Sequence, residues 1–458
     1  MIFAKQFIAF SAALVAVAGA NNNQAYPPNV TLSNSTTSMY QLSSDAEFAF
    51  ILEEYLSLAN EEGAATGEIL RAAALIEPGD IESWYKEFKF LGDKIGAQAK
   101  EAESNRAWVS ARKAYFRSSS YYRAADFFLH GNQSDPRIYT LWDKQSEAFN
   151  KAVKLLPKPP SFVQLKATNF TVPAYFYPAA PEIPPGKKAT HGKRLPTIIV
   201  GTSYDGNQES LYHGTCREVI ARGWNCITYE GPGQPTVRRQ QNIGFIPEWW
   251  EAVTPVVDYV RQRKDVDPDR VALIGLSFGG LLAPLAATRE HRLAAVVAID
   301  GLLNLQRSIL EKFPTQMVEL FTSGNKIGFN EYVEKLLAIP NIPLQFKWGV
   351  DQGTWAWNTT DPYTWLSGVG EFNLDEKKLS QIKCPVFVAS GQDDHIAPEQ
   401  PEEMARLLGE KSHYFLFETE LGAGEHCAIG AEQQLGFKTL GWLDEVFAKV
   451  KTSSELPR

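Results

Sequence analysis

A serine set between glycines, Gly275-Leu276-Ser277-Phe278-Gly279, separates two apolar runs of different character. Arg270-Val271-Ala272-Leu273-Ile274 reads as a buried strand, and the small-residue run Gly280 to Ala287 reads as a helix. Strand, G-x-S-x-G and helix are the setting of a nucleophile elbow, a strained turn that holds a serine hydroxyl above a sheet edge. The helix N-terminus supplies unpaired N–H groups and the positive end of a dipole. This combination points to acyl-type nucleophilic chemistry. A serine hydroxyl is a poor nucleophile at neutral pH, so it needs a base in hydrogen-bond reach and a carboxylate to orient that base.

Both partners have candidates downstream. Cys384 to Ala389 reads as a buried strand that runs into the polar turn Ser390-Gly391-Gln392-Asp393-Asp394-His395. Asp394 stands where an acid would leave the strand end, with Asp393 as its rival. His426 lies in the glycine-rich stretch Gly422-Ala423-Gly424-Glu425-His426-Cys427 after the last expected strand, where an imidazole can reach across strand ends. His395 is the rival base. Asp300 closes the strand after the elbow strand and is kept as the alternative acid or a second site carboxylate. The chain order serine, acid, histidine is that of the α/β-hydrolase sheet. An anionic intermediate needs two N–H donors. The Phe278 backbone is one candidate. The other comes from Gly201-Thr202-Ser203-Tyr204-Asp205-Gly206, with Tyr204 chosen ahead of Ser203.

These residues require a sheet to hold them. Strands are expected at Thr197–Gly201, Asn225–Tyr229, Val271–Leu276, Ala295–Ile299, Val386–Ala389 and Tyr414–Phe417, alternating with amphipathic stretches such as Trp249–Arg263 and Gln434–Lys449. That alternation implies a mostly parallel sheet flanked by helices, within a domain spanning 161–450. Phe162–Thr168 and Val172–Tyr177 read as paired edge strands. Residues 43–157 carry helical apolar spacing and few glycines, which gives an N-terminal helical cap domain ended by Pro157-Lys158-Pro159-Pro160. Residues 303–375 are longer than a strand–helix unit needs and rich in tryptophan, so they read as a helical insertion over the active site. Cap and insertion should enclose an apolar, aromatic-lined pocket, with Tyr121, Tyr122, Trp355 and Trp357 as candidate lining residues.

The 458 residues carry a net charge of −8 and no basic tract, which argues against nucleic acid or an anionic membrane surface as a partner. Lys5, the apolar run Phe7–Val17 and Ala18-Gly19-Ala20 form a signal-peptide pattern over 1–20, followed by a polar leader over 21–42. The secretory pathway is therefore the expected location, with no stable membrane span. The sequons at Asn29, Asn34, Asn132, Asn169 and Asn358 fit that route as glycosylation acceptors. Cys216, Cys226, Cys384 and Cys427 show no metal-binding spacing. Cys226 and Cys384 fall in or beside core strands and read as free buried thiols, while a disulfide, with its pairing unassigned by sequence, is left open in this compartment. No cofactor and no metal is expected. The partner is a small hydrophobic substrate, and the sequence is compatible with a dimer.

Several stretches together carry a family resemblance. They are Tyr204-Asp205-Gly206-x-x-Glu209, Glu230-Gly231-Pro232-Gly233-Gln234, Gly275-x-Ser277-x-Gly279-Gly280, Cys384-Pro385 with Gly391-x-x-Asp394, Gly422 to Cys427, and the helical Ala111-Arg112 through Arg117 to Ala124. Over roughly residues 45 to 450 the chain resembles the α/β-hydrolases related to 2,6-dihydroxypseudooxynicotine hydrolase. That group includes fungal enzymes of polyketide pathways. One branch shortens a naphthopyrone-type heptaketide, and another accompanies hybrid polyketide–nonribosomal peptide synthases in fusarin-, pseurotin- and cytochalasin-type pathways. The resemblance implies a helical cap over the hydrolase sheet and a triad of Ser277, Asp394 and His426. The signal pattern and sequons favour the second branch. The expected function is a serine hydrolase of fungal secondary metabolism that acts on a hydrophobic polyketide or polyketide–amino-acid intermediate, by hydrolysis or by assisted closure of a lactam or pyrrolone ring. The alternatives are a secreted general carboxylesterase or peptidase, a carbon–carbon bond hydrolase, and a non-catalytic binding protein on the same fold.

Overall fold

Alternation of side chains along the strands separates two cores. On the strand Val266–Leu276, Ala272 and Ile274 pack with one cluster of buried residues, while Val271 and Leu273 pack with another. A β-strand points successive side chains to opposite faces, so both faces of this sheet must be covered. The computed structural model describes residues 39–182 and 194–450. The expected signal peptide, most of the leader, and the sequons Asn29 and Asn34 lie outside the described residues.

The sheet has eight strands: β1 Ser161–Lys166, β2 Thr171–Tyr177, β3 Leu195–Gly201, β4 Asn225–Tyr229, β5 Val266–Leu276, β6 Ala295–Ile299, β7 Val386–Gly391 and β8 Ser412–Phe417. Their order is β1-β2-β4-β3-β5-β6-β7-β8. β2 runs antiparallel to β1 and to β4, and every pairing from β4 to β8 is parallel. The expected edge pair is therefore corrected at β2. Of that pair only β1 is an edge, because β2 also takes the hydrogen bonds of β4. The parallel strands bring the C-terminal ends of β3, β5, β6 and β7 to one side, where an open α/β sheet binds its ligands.

One face of the sheet is covered by helices that precede it: α1 Ala46–Ser57, α2 Thr66–Ala73, α3 Ile81–Ser104, α4 Trp108–Asp126 and α5 Arg137–Lys154. Small residues let α4 approach its neighbours closely. Ser118 Oγ donates to Gly92 O at 2.8 Å, Ser119 Oγ donates to Gln145 O at 2.9 Å, and a Cβ on Gly92 would meet the Tyr122 ring at 2.7 Å. Trp108, at the start of α4, is 50% exposed. The other face packs against the helices Trp250–Gln262, Gly279–Ala287 and Gln400–Leu408. Between β6 and β7, the helices from Leu305 to Glu371 hold a small core of their own around Met317, Phe329, Val333, Phe346 and Trp365.

Cys226 is not a free thiol. It forms a disulfide with Cys216, with Cα atoms 5.7 Å apart. The turn Tyr212–Cys216 leads into a helix that packs back over β4, so residues ten apart in sequence meet on one face of the sheet. Cys384 is free and buried. Asn132, Asn169 and Asn358 are exposed, but Asn358 Nδ2 donates to Asn242 O at 2.8 Å and so spends the nitrogen a glycan would need. No helix among the described residues is long and apolar enough to cross a membrane.

A buried ionic knot joins the N-terminal helices to the rest. Asp126 Oδ2 accepts from Arg239 at 2.6 Å and from Arg123 at 3.1 Å, and all three side chains are at most 4% exposed. Arg239 also lies over the rings of Trp142 and Trp355. Removing one member of such a cluster leaves the others charged, buried and unpaired. Asp126→Ala is expected to cost about 3–5 kcal/mol in a denaturant melt. A loss below roughly 1 kcal/mol would mean that water reaches the two guanidinium groups.

Candidate active site

Ser277 has the backbone torsion expected of a strained turn. Its φ is +56°, in the left-handed region that non-glycine residues rarely occupy. The flanking glycines make that turn possible. A Cβ on Gly275 would collide with Gly279 O, and one on Gly279 would lie 2.8 Å from Thr202 O. The helix Gly279–Ala287 starts at once, with Leu281 N donating to Phe278 O at 3.0 Å. The serine hydroxyl thus stands at the C-terminal end of β5, at the edge of an apolar cavity of about 310 Å³.

Three strand ends converge on one imidazole. His426 Nε2 lies 2.8 Å from Ser277 Oγ, and Nδ1 lies 3.0 Å from Asp394 Oδ2. Asp300 Oδ2 is also within 3.1 Å of Nδ1, and it accepts a short hydrogen bond from the Cys427 N–H. Asp394 Oδ1 accepts from Ile396 N at 2.7 Å. Asp394 and Asp300 are thus two carboxylates on the same ring nitrogen. The loops that carry acid and base are tied together. Asp393 N donates to Gly424 O at 2.8 Å, and Thr419 N donates to Gln392 Oε1 at 3.0 Å. Asp393 itself accepts from Thr419 Oγ1 at 2.6 Å and serves this loop closure, away from the imidazole. His395 lines the cavity against Phe50 without a hydrogen bond from its ring among the described residues.

The charges of this cluster are divided unequally. Burial pushes Asp394 up, but the charge and hydrogen bond of His426 outweigh it and hold the carboxyl at about 2. Burial raises Asp300, His426 draws it back only in part, and Asp394 repels it, which leaves it at about 6. Burial alone would lower His426, yet the two carboxylates hold its imidazolium well above the ordinary value. His395, buried beside His426 and Lys312, is pushed down to about 4 and stays neutral.

The loop after β3 is held from behind by side chains that the sequence motifs left without a role. Gln234 Nε2 donates to Thr202 O and to Ser203 O, both at 3.0 Å, while its Oε1 accepts from Gly231 N. Glu230 accepts from Gln208 N at 2.9 Å, and Arg123 donates to Asp205 O at 2.6 Å. In a trans peptide the N–H points opposite to the preceding carbonyl. Pinning Ser203 O to Gln234 therefore turns the Tyr204 N–H the other way. Among the described residues, no protein acceptor takes the N–H of Tyr204 or of Phe278. Ser203 is less suited as a donor, because its hydroxyl is spent on Asp205 Oδ1 at 2.5 Å and accepts from Gly206 N.

The aromatic lining expected from sequence is corrected. Tyr121, Tyr122, Trp355 and Trp357 do not line the cavity. Tyr121 donates to Glu68 and Tyr122 to Asp93, Trp355 stacks on His130 beneath Arg238, and Trp357 packs against Phe245. The lining aromatics are Phe50 from α1, Tyr204, Phe278 next to the serine, and Phe313, Phe346, Trp348 and Trp365 from the insertion. Sequence reasoning also missed Glu47 and Glu54, which reach the cavity from α1. Their signal was the seven-residue spacing that puts them on one helical face with Phe50 and Ile51.

A mostly parallel sheet with a serine at a strained strand-to-helix turn, facing a histidine and a carboxylate from later strand ends, defines an α/β hydrolase. The profile of the alpha/beta hydrolase family matches residues 211–434, and the chain belongs to this family. Its similarity to individual hydrolases extends much further. Hydrolase LUC6 of a Fusarium species is 30% identical over 89% of this chain and 98% of its own length. The 20-hydroxy-prefusarin hydrolase of Gibberella moniliformis is 29% identical over 90% of this chain and 99% of its own. Among solved structures, the 2,6-dihydroxy-pseudo-oxynicotine hydrolase superposes with a TM-score of 0.66 at 19% identity, over 87% of this chain and 97% of that one, which shows the shared fold.

The carboxylate pair gives a direct expectation. A nuclear magnetic resonance titration should find His426 still protonated above pH 6.5, because Asp394 and Asp300 favour its cation. Asp300→Asn removes one of those charges and should move the midpoint down. An unchanged midpoint in that variant would show that Asp300 carries no charge while His426 titrates.

Proposed function

We propose that this protein is a serine hydrolase of fungal secondary metabolism that acts on a small, hydrophobic polyketide or polyketide–amino-acid intermediate. The observation that carries this reading is the Ser277–His426–Asp394 array opening into an apolar, aromatic-lined cavity of about 310 Å³, within the usual range for small-molecule sites. The naming of one relative as a 20-hydroxy-prefusarin hydrolase supports the substrate class.

In this reading His426 Nε2 takes the Ser277 proton as the hydroxyl attacks a substrate carbonyl, and Asp394 stabilises the imidazolium at Nδ1. The Phe278 and Tyr204 N–H groups receive the oxyanion. Collapse of the tetrahedral intermediate expels the leaving group, which takes the proton back from His426. The resulting acyl-enzyme then passes to water, or to a nucleophile within the same acyl chain when a ring is closed. Walls contributed by α1 and the insertion limit water at the acyl group, which favours an internal nucleophile. Because His426 must be neutral to act as base, activity should rise with pH through its elevated midpoint.

The secretory route belongs to the same proposal. The N-terminal signal pattern supports it, and so does a disulfide, which persists in oxidising compartments. N-terminal sequencing of protein recovered from a fungal host should begin near Asn21. An intact Met1 would reject processing.

Kinetics on aryl esters of short hydrophobic acids test the mechanism. Ser277→Ala should lower kcat by about a million-fold, the scale seen when a triad nucleophile is removed. Asp394→Asn should cost roughly ten-thousand-fold, far more than Asp393→Asn or Asp300→Asn. If Asp300→Asn were the more damaging change, the orienting acid would be the one at the end of β6. Faster turnover of long-chain lipids or peptides than of compact hydrophobic esters would favour a general esterase or peptidase.

A further inference from the structure

The cavity contains two carboxyl groups that the proposed mechanism does not use. Glu47 and Glu54 are seven residues apart on α1, so two helical turns place them on the same face. Between them on that face Phe50 meets the His426 ring at 6.3 Å between centroids, which sets this surface over the nucleophile. Glu47 is only 7% exposed and Glu54 is partly buried, both line the cavity, and among the described residues neither carboxyl has a hydrogen-bond partner. Carboxyls that face an apolar cavity with no protein partner are open to a ligand that supplies one.

The surroundings decide what that ligand offers. Burial raises Glu47 to about 8, with Asp205, Asp45 and Glu54 adding to the rise and Lys312 opposing it. Burial raises Glu54 to about 7, with Asp205 and Glu432 adding to the rise and Arg123 and His426 opposing it. The nearby cations are committed elsewhere. Lys312 Nζ donates to His395 O at 2.7 Å, and Arg123 donates to Asp126 and to Asp205 O. Below about pH 7 both carboxyls therefore keep their protons and present O–H donors to an apolar space.

We propose that Glu47 and Glu54 form a hydrogen-bond-donating subsite that holds a carbonyl oxygen of a neutral ligand, such as a ketone or amide, within this cavity. The subsite deepens the reading of a carbonyl-rich hydrophobic substrate and rests on it for the biological ligand, but it acts in binding and needs no nucleophile.

The test is equilibrium binding to the full chain, read from the tryptophan fluorescence of a cavity that includes Trp348 and Trp365. The probes are undecan-2-one, 1-undecene and undecylamine, which differ at one end as a neutral acceptor, an apolar group and a cation. At pH 6.5 the ketone should bind roughly three- to tenfold tighter than the alkene, the gain of one or two hydrogen bonds. That advantage should fall as pH climbs from 7 to 9 and the carboxyls ionise. It should vanish in Glu47→Ala and Glu54→Ala. Glu47→Gln and Glu54→Gln, whose amides still donate, should keep it with a weaker pH dependence, which separates lost donation from lost folding. The same measurements in Ser277→Ala should be unchanged, so failure of the nucleophile assignment would leave this result standing. Equal binding of ketone and alkene, or an amine that binds tightest and gains with pH, would overturn the proposal.

Discussion

The contact between His426 and Ser277, 2.8 Å from Nε2 to Oγ, is the interaction on which the rest of the site depends. It spans the ends of different strands, so it exists only if the sheet order, the elbow and the C-terminal loop are all correct together. β5 delivers the serine, the loop after β8 delivers the imidazole, and β6 and β7 deliver the carboxylates that hold its other nitrogen. Three of these deliveries, those of Ser277, Asp300 and the loop of His426, use backbone that is expensive elsewhere. Ser277, Asp300, Cys427 and Ala428 all have positive φ, and a residue held in that region costs of order 1–3 kcal/mol. The surrounding core supports the strain, with Val271, Leu273, Val296 and Val388 buried below the strand ends.

The local parts of this arrangement were legible in the sequence. The elbow, the turn with Asp394 and the loop with His426 each join a strand end to a distinctive turn, and such signals survive without knowledge of the fold. Six parallel strands were placed with their centres correct. The strand β5 extends back to Val266, through Pro268, ahead of the Val271 start expected from sequence. What the sequence left open depends on tertiary placement. Helical spacing shows that Tyr121 and Tyr122 share a helix, but only packing shows that they meet Glu68 and Asp93 instead of the cavity. The sequence ranked Asp394 ahead of Asp300 as the acid, but only the folded chain shows that both carboxylates reach the same nitrogen. Cys216 and Cys226 looked unrelated because a helix and a strand must pack before their sulfur atoms meet.

The N-terminal helices and the insertion do more than cover the sheet. Arg123 of α4 reaches the backbone of the loop after β3, and Arg239 joins α4 to Trp355 of the insertion through Asp126. Gln234 fixes the same loop from the side of β4. The peptide that presents Tyr204 is therefore set by two separate parts of the chain, α4 and the segment after β4. A cavity assembled this way gains its shape from the cap and insertion and its reactive groups from the sheet, so substrate choice can vary without change to the chemistry.

The central claim is that Ser277 is an activated nucleophile within this cavity. It is tested most directly by reacting the folded protein with a small alkyl fluorophosphonate and mapping the adduct by peptide mass spectrometry. The account predicts a single stoichiometric adduct on the peptide that carries Ser277, formed faster as pH rises and abolished by unfolding. No adduct under conditions where the protein remains folded, or one on a different residue, would contradict it.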